Sequence, residues 1–373
     1  MKIFYKSLIL LTAACTAFCG CSSPSGDTGE VLFKNGRIIS QYTNLCNDGE
    51  LYTTDSGKLI FMDFSSMQSA AICSKPNCTH TDSKTCSAFG MGEKPVFYNG
   101  SIYFLATETV LKDKKTIFRT SLSGADRDGT NRSVLYTIEG YYTDVGRMFL
   151  YNGVLYFILI QCDFDENGSQ CAFSTVCLFS YNFQSGKFLN IGKLCEGYSC
   201  SAWIHGLWNK RIYLSSSYSK TEIKFDIYSP DVDYINEQLE KNLIKEEFQY
   251  SLDDGKLSVS DMPAPFEVKD GYYVAQNGSG IDIYKESGEK TSIDDISEMD
   301  ITGGIVKEKL FMPQKGMCYD IPSGKFFALN LSAEQEVIYY IDGFYITKHY
   351  TCDENKCEYK KIAEVELIGG EAL

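Results

Sequence analysis

One phrase, written seven times along the chain, restricts its fold more than any other feature: a tight turn followed by a short aromatic strand. It reads NDGELYTT (47–54), YNGSIYFL (98–105), YNGVLYFI (151–158), WNKRIYLS (208–215), KDGYYVAQ (269–276), KEKLFMPQ (307–314) and IDGFYITK (341–348). Asn-Gly and Asp-Gly suit two-residue hairpin turns, whose central residues both need positive φ. The apolar–polar alternation that follows has the period of a half-buried strand. Several copies continue into an aromatic strand that ends at a Ser-Gly pair: LFSYNFQSGKFLNI (178–191), MCYDIPSGKFFAL (317–329), IDIYKESGEKTSI (281–293) and IFRTSLSGADRDG (117–129). The unit is strand, turn, strand, Ser-Gly turn, strand. Antiparallel units repeated at this interval predict an all-β fold, a β-propeller most simply of seven blades, with six or eight as alternatives. The aromatic content of 14% fits side chains packed between blades. Blades share continuous cores, so residues 31–373 are expected to form one domain.

Two stretches depart from the phrase. VLFKNGRIIS (31–40) is strand-like and precedes the first copy, which predicts a strand that closes the ring. In SPDVDYINEQLEKNLIKEEF, Val232, Ile235, Leu239 and Leu243 recur at helical spacing behind Ser229 and Pro230. That pattern predicts a helical insertion over 229–248 on the fourth blade.

The chain opens MKIFYKSLILLTAACTAFCGCSS, with Lys2 and Lys6 ahead of a short apolar run. The run is too short for a stable membrane span and reads as an export signal over residues 1–20. FCGC resembles the lipobox of bacterial lipoproteins, in which the cysteine after a small residue is acylated; Cys21 is the expected lipidation site. Residues 21–30 then form a flexible polar tether. The expected location is the outer face of a bacterial cell membrane, held by the lipid.

Export favours oxidised thiols. Of fifteen cysteines, twelve remain once Cys15, Cys19 and Cys21 are set aside. The pairs Cys73/Cys78, Cys195/Cys200 and Cys352/Cys357 share one spacing, and Cys162/Cys171 lies one ladder step wider. A four-residue loop between paired strands brings its flanking residues within disulfide reach, which makes these four pairs the disulfide candidates. The stretch CSKPNCTHTDSKTC admits a second chemistry, zinc on Cys73, Cys78, His80 and Cys86. Its spacing lacks the close C-x2-C pair of common structural sites, and Pro76-Asn77 has turn character, so the stapled loop is the preferred reading. DFDENG resembles the start of a calcium loop through Asp163, Asp165 and Asn167, but Ser174 stands where a bidentate Glu is required. A hairpin there is the simpler reading, and no cofactor is expected.

The NGxIYF and YDxxSGK phrases, with CSKPNCTH after the first copy, make the mature chain resemble the lipid-anchored, extracytoplasmic TolB-like β-propeller lipoproteins, a group largely of unknown function. The resemblance implies a protein-binding scaffold.

Catalytic signals are sparse. His80, His205 and His349 fall in different repeats, and no G-x-S-x-G phrase or Asp-box accompanies them. The net charge of −14 repels nucleic acid and anionic head groups, so neither is an expected partner. Trp203 and Trp208 in SAWIHGLWNK are the candidates for stacking on a ligand, with burial between blades as the competing reading. The expected function is a non-catalytic binding propeller for a protein, peptide or glycan. The alternatives are an exported carbohydrate hydrolase or lyase using channel carboxylates, and a structural subunit of an envelope complex.

Overall fold

The computed structural model describes residues 45–373 except 47–48, 55, 93–94, 114, 144–147, 165–169, 223–240, 298–299, 302–303 and 351–356. The expected signal over 1–20, the expected tether over 21–30 and the expected closing strand over 31–40 lie outside these residues.

Six of the seven repeat phrases show the expected turn, residues 47–48 of the first lying outside the described residues. Asn99-Gly100, Asn152-Gly153, Asp270-Gly271 and Asp342-Gly343 all hold two successive positive φ values, and so do Asn209-Lys210 and Lys307-Glu308 without any glycine. These are the primed turns whose twist matches the flanking strands. The Ser-Gly turns are reinforced from the preceding strand: Asn182 Oδ1 accepts from the Ser185 amide at 2.9 Å and Asp320 Oδ2 from the Ser323 amide at 3.0 Å. One expected Ser-Gly turn is corrected. Ser123 and Gly124 lie inside a strand, Gly124 opposite Tyr103, and the chain turns instead at Asp126–Gly129.

The described strands form six antiparallel sheets in chain order. Sheet 1 contains β1 (Leu45–Cys46), β2 (Gly49–Thr53), β3 (Leu59–Asp63) and β4 (Gln68–Ala71). Sheet 2 contains β5 (Val96–Tyr98), β6 (Ser101–Lys112), β7 (Lys115–Asp126) and β8 (Ser133–Glu139). Sheet 3 is eight-stranded: β9 (Tyr141–Tyr142), β10 (Phe149–Tyr151), β11 (Val154–Phe164), β12 (Gln170–Asn182), β13 (Lys187–Trp208), β14 (Arg211–Ser219), β15 (Leu243–Ser251) and β16 (Leu257–Val259). Sheet 4 holds β17 (Pro265–Lys269), β18 (Tyr272–Asn277), β19 (Gly280–Lys285) and β20 (Lys290–Ile293). Sheet 5 holds β21 (Ile305–Val306), β22 (Lys309–Met312), β23 (Met317–Asp320) and β24 (Lys325–Leu329). Sheet 6 holds β25 (Gln335–Ile341), β26 (Phe344–Tyr350) and β27 (Cys357–Ala363). After a helical turn, Glu364–Leu367, the C-terminal β28 (Ile368–Ala372) joins sheet 5 beside β24.

Sheet 3 contains two repeat phrases because β13 is 22 residues long: its first part pairs with β12 and its second with β14. The strand bends through register shifts near Gly197, where a Cβ would meet the Ser219 carbonyl oxygen at 2.5 Å. Only glycine allows that approach.

One core lies within sheet 3, where Ile158 and Leu178 pack with Ile204 and Leu214, and the others lie between faces of consecutive sheets. Leu51 and Leu59 pack with Ile102 and Phe104; Leu105 and Leu122 with Leu155 and Phe157. Trp208 and Tyr213 pack with Tyr273, Ile283 with Leu310, and Phe311 with Tyr345. The series returns to its beginning: Met62 and Phe64 of sheet 1 pack against Ile338 and Ile346 of sheet 6. The fold is therefore a β-propeller, in which circular packing leaves little sheet surface to water.

The helical insertion is corrected at its end. Leu243 begins β15, which pairs with β14 over its whole length, while 223–240 lie outside the described residues. Burying one face against sheet 3 outweighs local helix preference there.

Candidate functional site

Three places gather chemistry. The first is the connection from Ala71 to Val96, between sheets 1 and 2. Cys73, Cys78, His80 and Cys86 bring one donor atom each into a group whose members all lie within 4.8 Å of one another. His80 Nδ1 is 3.5 Å from Cys86 Sγ. Local turns make this possible. The Cys78 amide closes a turn on the Lys75 carbonyl at 3.3 Å, and Asn77 and His80 both take positive φ. Cys86 closes a turn on Asp82 at 3.0 Å. The preferred sequence reading paired Cys73 with Cys78 across a four-residue loop between strands. The structure places both, together with Cys86, in an irregular loop outside any strand.

The other cysteine expectations divide. Cys195 and Cys200 do not flank a hairpin loop but lie in one strand, β13. The distortion around Gly197 and Ser199 brings the two thiols into hydrogen-bonding contact, which pushes the Cys195 thiol up and the Cys200 thiol down to about 7. The ladder pairs Cys162 with Ser174 rather than with Cys171, whose side chain is outside the described set. Cys357 lies opposite Tyr350, and Cys352 is outside the described residues. So are the Asp163 side chain and all of Asp165 and Asn167.

The second place joins sheets 1, 4 and 6. Lys348 Nζ lies 2.8 Å from Glu50 Oε1, both side chains only 7% exposed, and Tyr359 OH donates to Glu50 Oε2 at 2.8 Å. Glu336 lies directly opposite Lys348 in the ladder and feels Glu50, Lys348, Glu267 and Lys269. Charges from all three sheets thus act on one carboxyl group. Burial pushes the Glu336 carboxyl up, against the pull of Lys348 and Lys269. At the edge of this region burial also drives the Asp270 carboxyl up to about 7, with Glu267 and Glu308 adding like charge. Its protonated form is thus favoured by folding, so this contribution to stability falls as pH rises from the ordinary carboxylate range through about 7. Thermal unfolding followed from about pH 5 to about pH 8 should show Tm falling, and Asp270→Asn should reduce that fall. An unchanged slope in the variant would count against this assignment.

The third place is on sheet 3. Trp203, Ser215 and Glu247 are direct cross-strand partners on β13, β14 and β15 and share a face, with Ser201, Ser217 and Lys245 in the next row. His205 Nε2 and Ser215 Oγ are 2.7 Å apart, and Ser201 and Ser217 hydroxyls 2.8 Å apart. Trp203 is 47% exposed, whereas Trp208 is 8% exposed and packs against Tyr213 and Tyr273. Of the two indoles, then, the burial reading describes Trp208 and the exposed one is Trp203. Burial pushes the Glu247 carboxyl up to about 7, and its Oε2 has no hydrogen-bond partner among the described residues. The sequence reading missed Ser215 and Glu247. The period-two spacing of Ser201, Trp203 and His205 marks one face of the strand, but nothing local shows which strands lie beside it. A cleft of about 450 Å³ at sheet 5 is lined by Lys309, Lys325, Asp320 and Glu364, whose charges balance: Lys309 lies 2.7 Å from Asp320 and 3.8 Å from Glu364.

No family model and no curated protein matches the sequence. Among solved structures, an apocarotenoid oxygenase from Synechocystis is 12% identical, with a TM-score of 0.40 over 87% of this chain and 68% of its own. A sucrose-6-phosphate hydrolase from Lactobacillus gasseri is 8% identical, TM-score 0.33, over 88% and 86%. An α-L-arabinofuranosidase from Fusarium graminearum is 10% identical, TM-score 0.31, over 89% and 98%. Likeness this weak carries no argument about activity.

Proposed function

We propose that the chain is an exported binding propeller, anchored to a bacterial membrane through Cys21, that captures a glycan at the exposed Trp203 on β13. The observation that carries this reading is Trp203, nearly half exposed beside a row of hydroxyls and the carboxylate of Glu247. An indole offers a broad apolar surface to the face of a sugar ring, while Ser215, His205 and Glu247 offer the hydrogen bonds that fix its orientation. The remaining expectations on location and partner, a protein or peptide ligand among them, stand as part of this proposal.

A glycan array probed with the full-length protein should give a defined set of bound sugars. Trp203→Ala should weaken their binding by at least about tenfold while leaving thermal stability nearly unchanged, since the residue is exposed. Equal binding by the variant would refute the site. A second reading, a carbohydrate hydrolase, rests on the approach of Glu50, Glu267 and Glu336 to one another from three sheets. It requires turnover of the bound sugar that is lost in Glu336→Gln.

A further inference from the structure

We propose that Cys73, Cys78, His80 and Cys86 hold one structural zinc ion that pins the connection between sheets 1 and 2. The inference is independent of the glycan-binding reading. Three sulfurs and one imidazole nitrogen are the donor set that zinc prefers among divalent cations, and four protein ligands leave no open position for chemistry. The geometry agrees. With Zn–S near 2.3 Å and Zn–N near 2.0–2.1 Å, the S···N edge of a tetrahedron is about 3.5 Å. The His80–Cys86 separation is 3.5 Å. A disulfide joins only two sulfurs and would leave the third thiol and the imidazole together in the same small space.

Two further features suit bound thiolates. The Lys75 amide donates to Cys73 Sγ and the Ala88 amide to Cys86 Sγ, the latter at 3.5 Å, so two sulfurs accept an N–H from two residues on. Three thiolates on one Zn²⁺ leave a net negative charge, and the Arg132 guanidinium, acting on Cys86, and the Lys58 ammonium, acting on His80, help to offset it. Binding releases the thiol protons to solvent.

The cysteine-bearing part of the loop has little else to hold it. Between Ala71 and Val96 the described residues form no regular strand; Met91 is packed among Leu51, Ile102 and Phe104, but the apolar cluster around the cysteines is little more than Cys86, Ala88 and Phe89. Connections of this length are uncommon in compact domains unless something organises them. Arg132 donates to the carbonyls of Ser87, Phe89, Gly90 and Gly129, tying one flank to sheet 2, while Leu59 of sheet 1 donates to Ala88 at 2.7 Å. The ion would order the half of the loop that these contacts do not reach.

The test uses the exported full-length protein. Elemental analysis should find about one zinc per chain, and cobalt exchanged for it should show sulfur-to-cobalt charge transfer with tetrahedral d–d bands. Cys86→Ser should lose most of the metal, whereas Cys318→Ser, at a buried thiol elsewhere, should retain it. If Cys86→Ser does not fold, chelation and cobalt spectra of the unaltered protein decide the matter. Metal-free folded protein with a mapped Cys73–Cys78 disulfide would overturn the proposal, as would zinc content insensitive to Cys86→Ser in a folded variant.

Discussion

Lys348→Ala should destabilise the propeller by about 3–5 kcal/mol, because it leaves the buried Glu50 carboxylate without its cation. Glu50 and Lys348 are 298 residues apart in sequence and belong to the first and last sheets, so their contact helps to close the ring. The loss is dominated by the stranded charge. Tyr359 still donates to one Glu50 oxygen, and the facing Glu336 adds repulsion once the ammonium is gone. Replacing both members with apolar residues of similar size, Glu50→Leu with Lys348→Met, should therefore cost much less than the single change. Urea unfolding checks both. Hydrogen exchange should locate the damage in β2 and β26, at the closure, before it spreads. A single variant within about 1 kcal/mol of the parent would show that the pair is not closing anything.

Phe157→Ala should cost about 3–5 kcal/mol through an uncollapsed cavity between sheets 2 and 3. The ring is fully buried and sits among Leu105, Leu122, Phe179 and Phe188, with ring centroids 6.1 Å from Phe179 and 6.2 Å from Phe188. The sheets meeting there are long and rigid, so they cannot close the gap without breaking their own ladders. Leu111→Ala, at a site 75% exposed on β6, should change stability by no more than about 0.5 kcal/mol. Calorimetric unfolding of the two variants side by side makes the comparison, and equal losses would overturn the assignment of the core.

The sequence alone determined the unit of the fold, because that unit is local. Two residues of positive φ fix a hairpin, and Asn152-Gly153 or Asp342-Gly343 announces this through side chains that tolerate the conformation. Where the cue was ambiguous, tertiary structure decided. Ser123-Gly124 looked like its counterparts but runs straight through β7, since the partner strand β6 continues past it and offers hydrogen bonds to the end. Leu243 looked helical and joined β15 for the same reason. The CEGYSC phrase looked like a hairpin loop and became part of one strand, β13, which carries two repeat phrases and joins them in a single sheet.

For the candidate sites the division is similar. The spacing of Cys73, Cys78, His80 and Cys86 named four possible ligands, yet only the turns at Lys75–Cys78 and Asp82–Cys86 gather their donor atoms at one point. Trp203 and His205 were visible as neighbours on a strand face. Ser215 and Glu247 were not, because cross-strand partners are chosen by register between segments remote in sequence. The same holds for Glu50 and Lys348, which meet only when the first sheet packs on the last. Turn chemistry and strand period are properties of a few adjacent residues and can be read directly. Convergence of charges and ligands depends on how whole sheets pack, and that is set by the shapes of all the buried faces together.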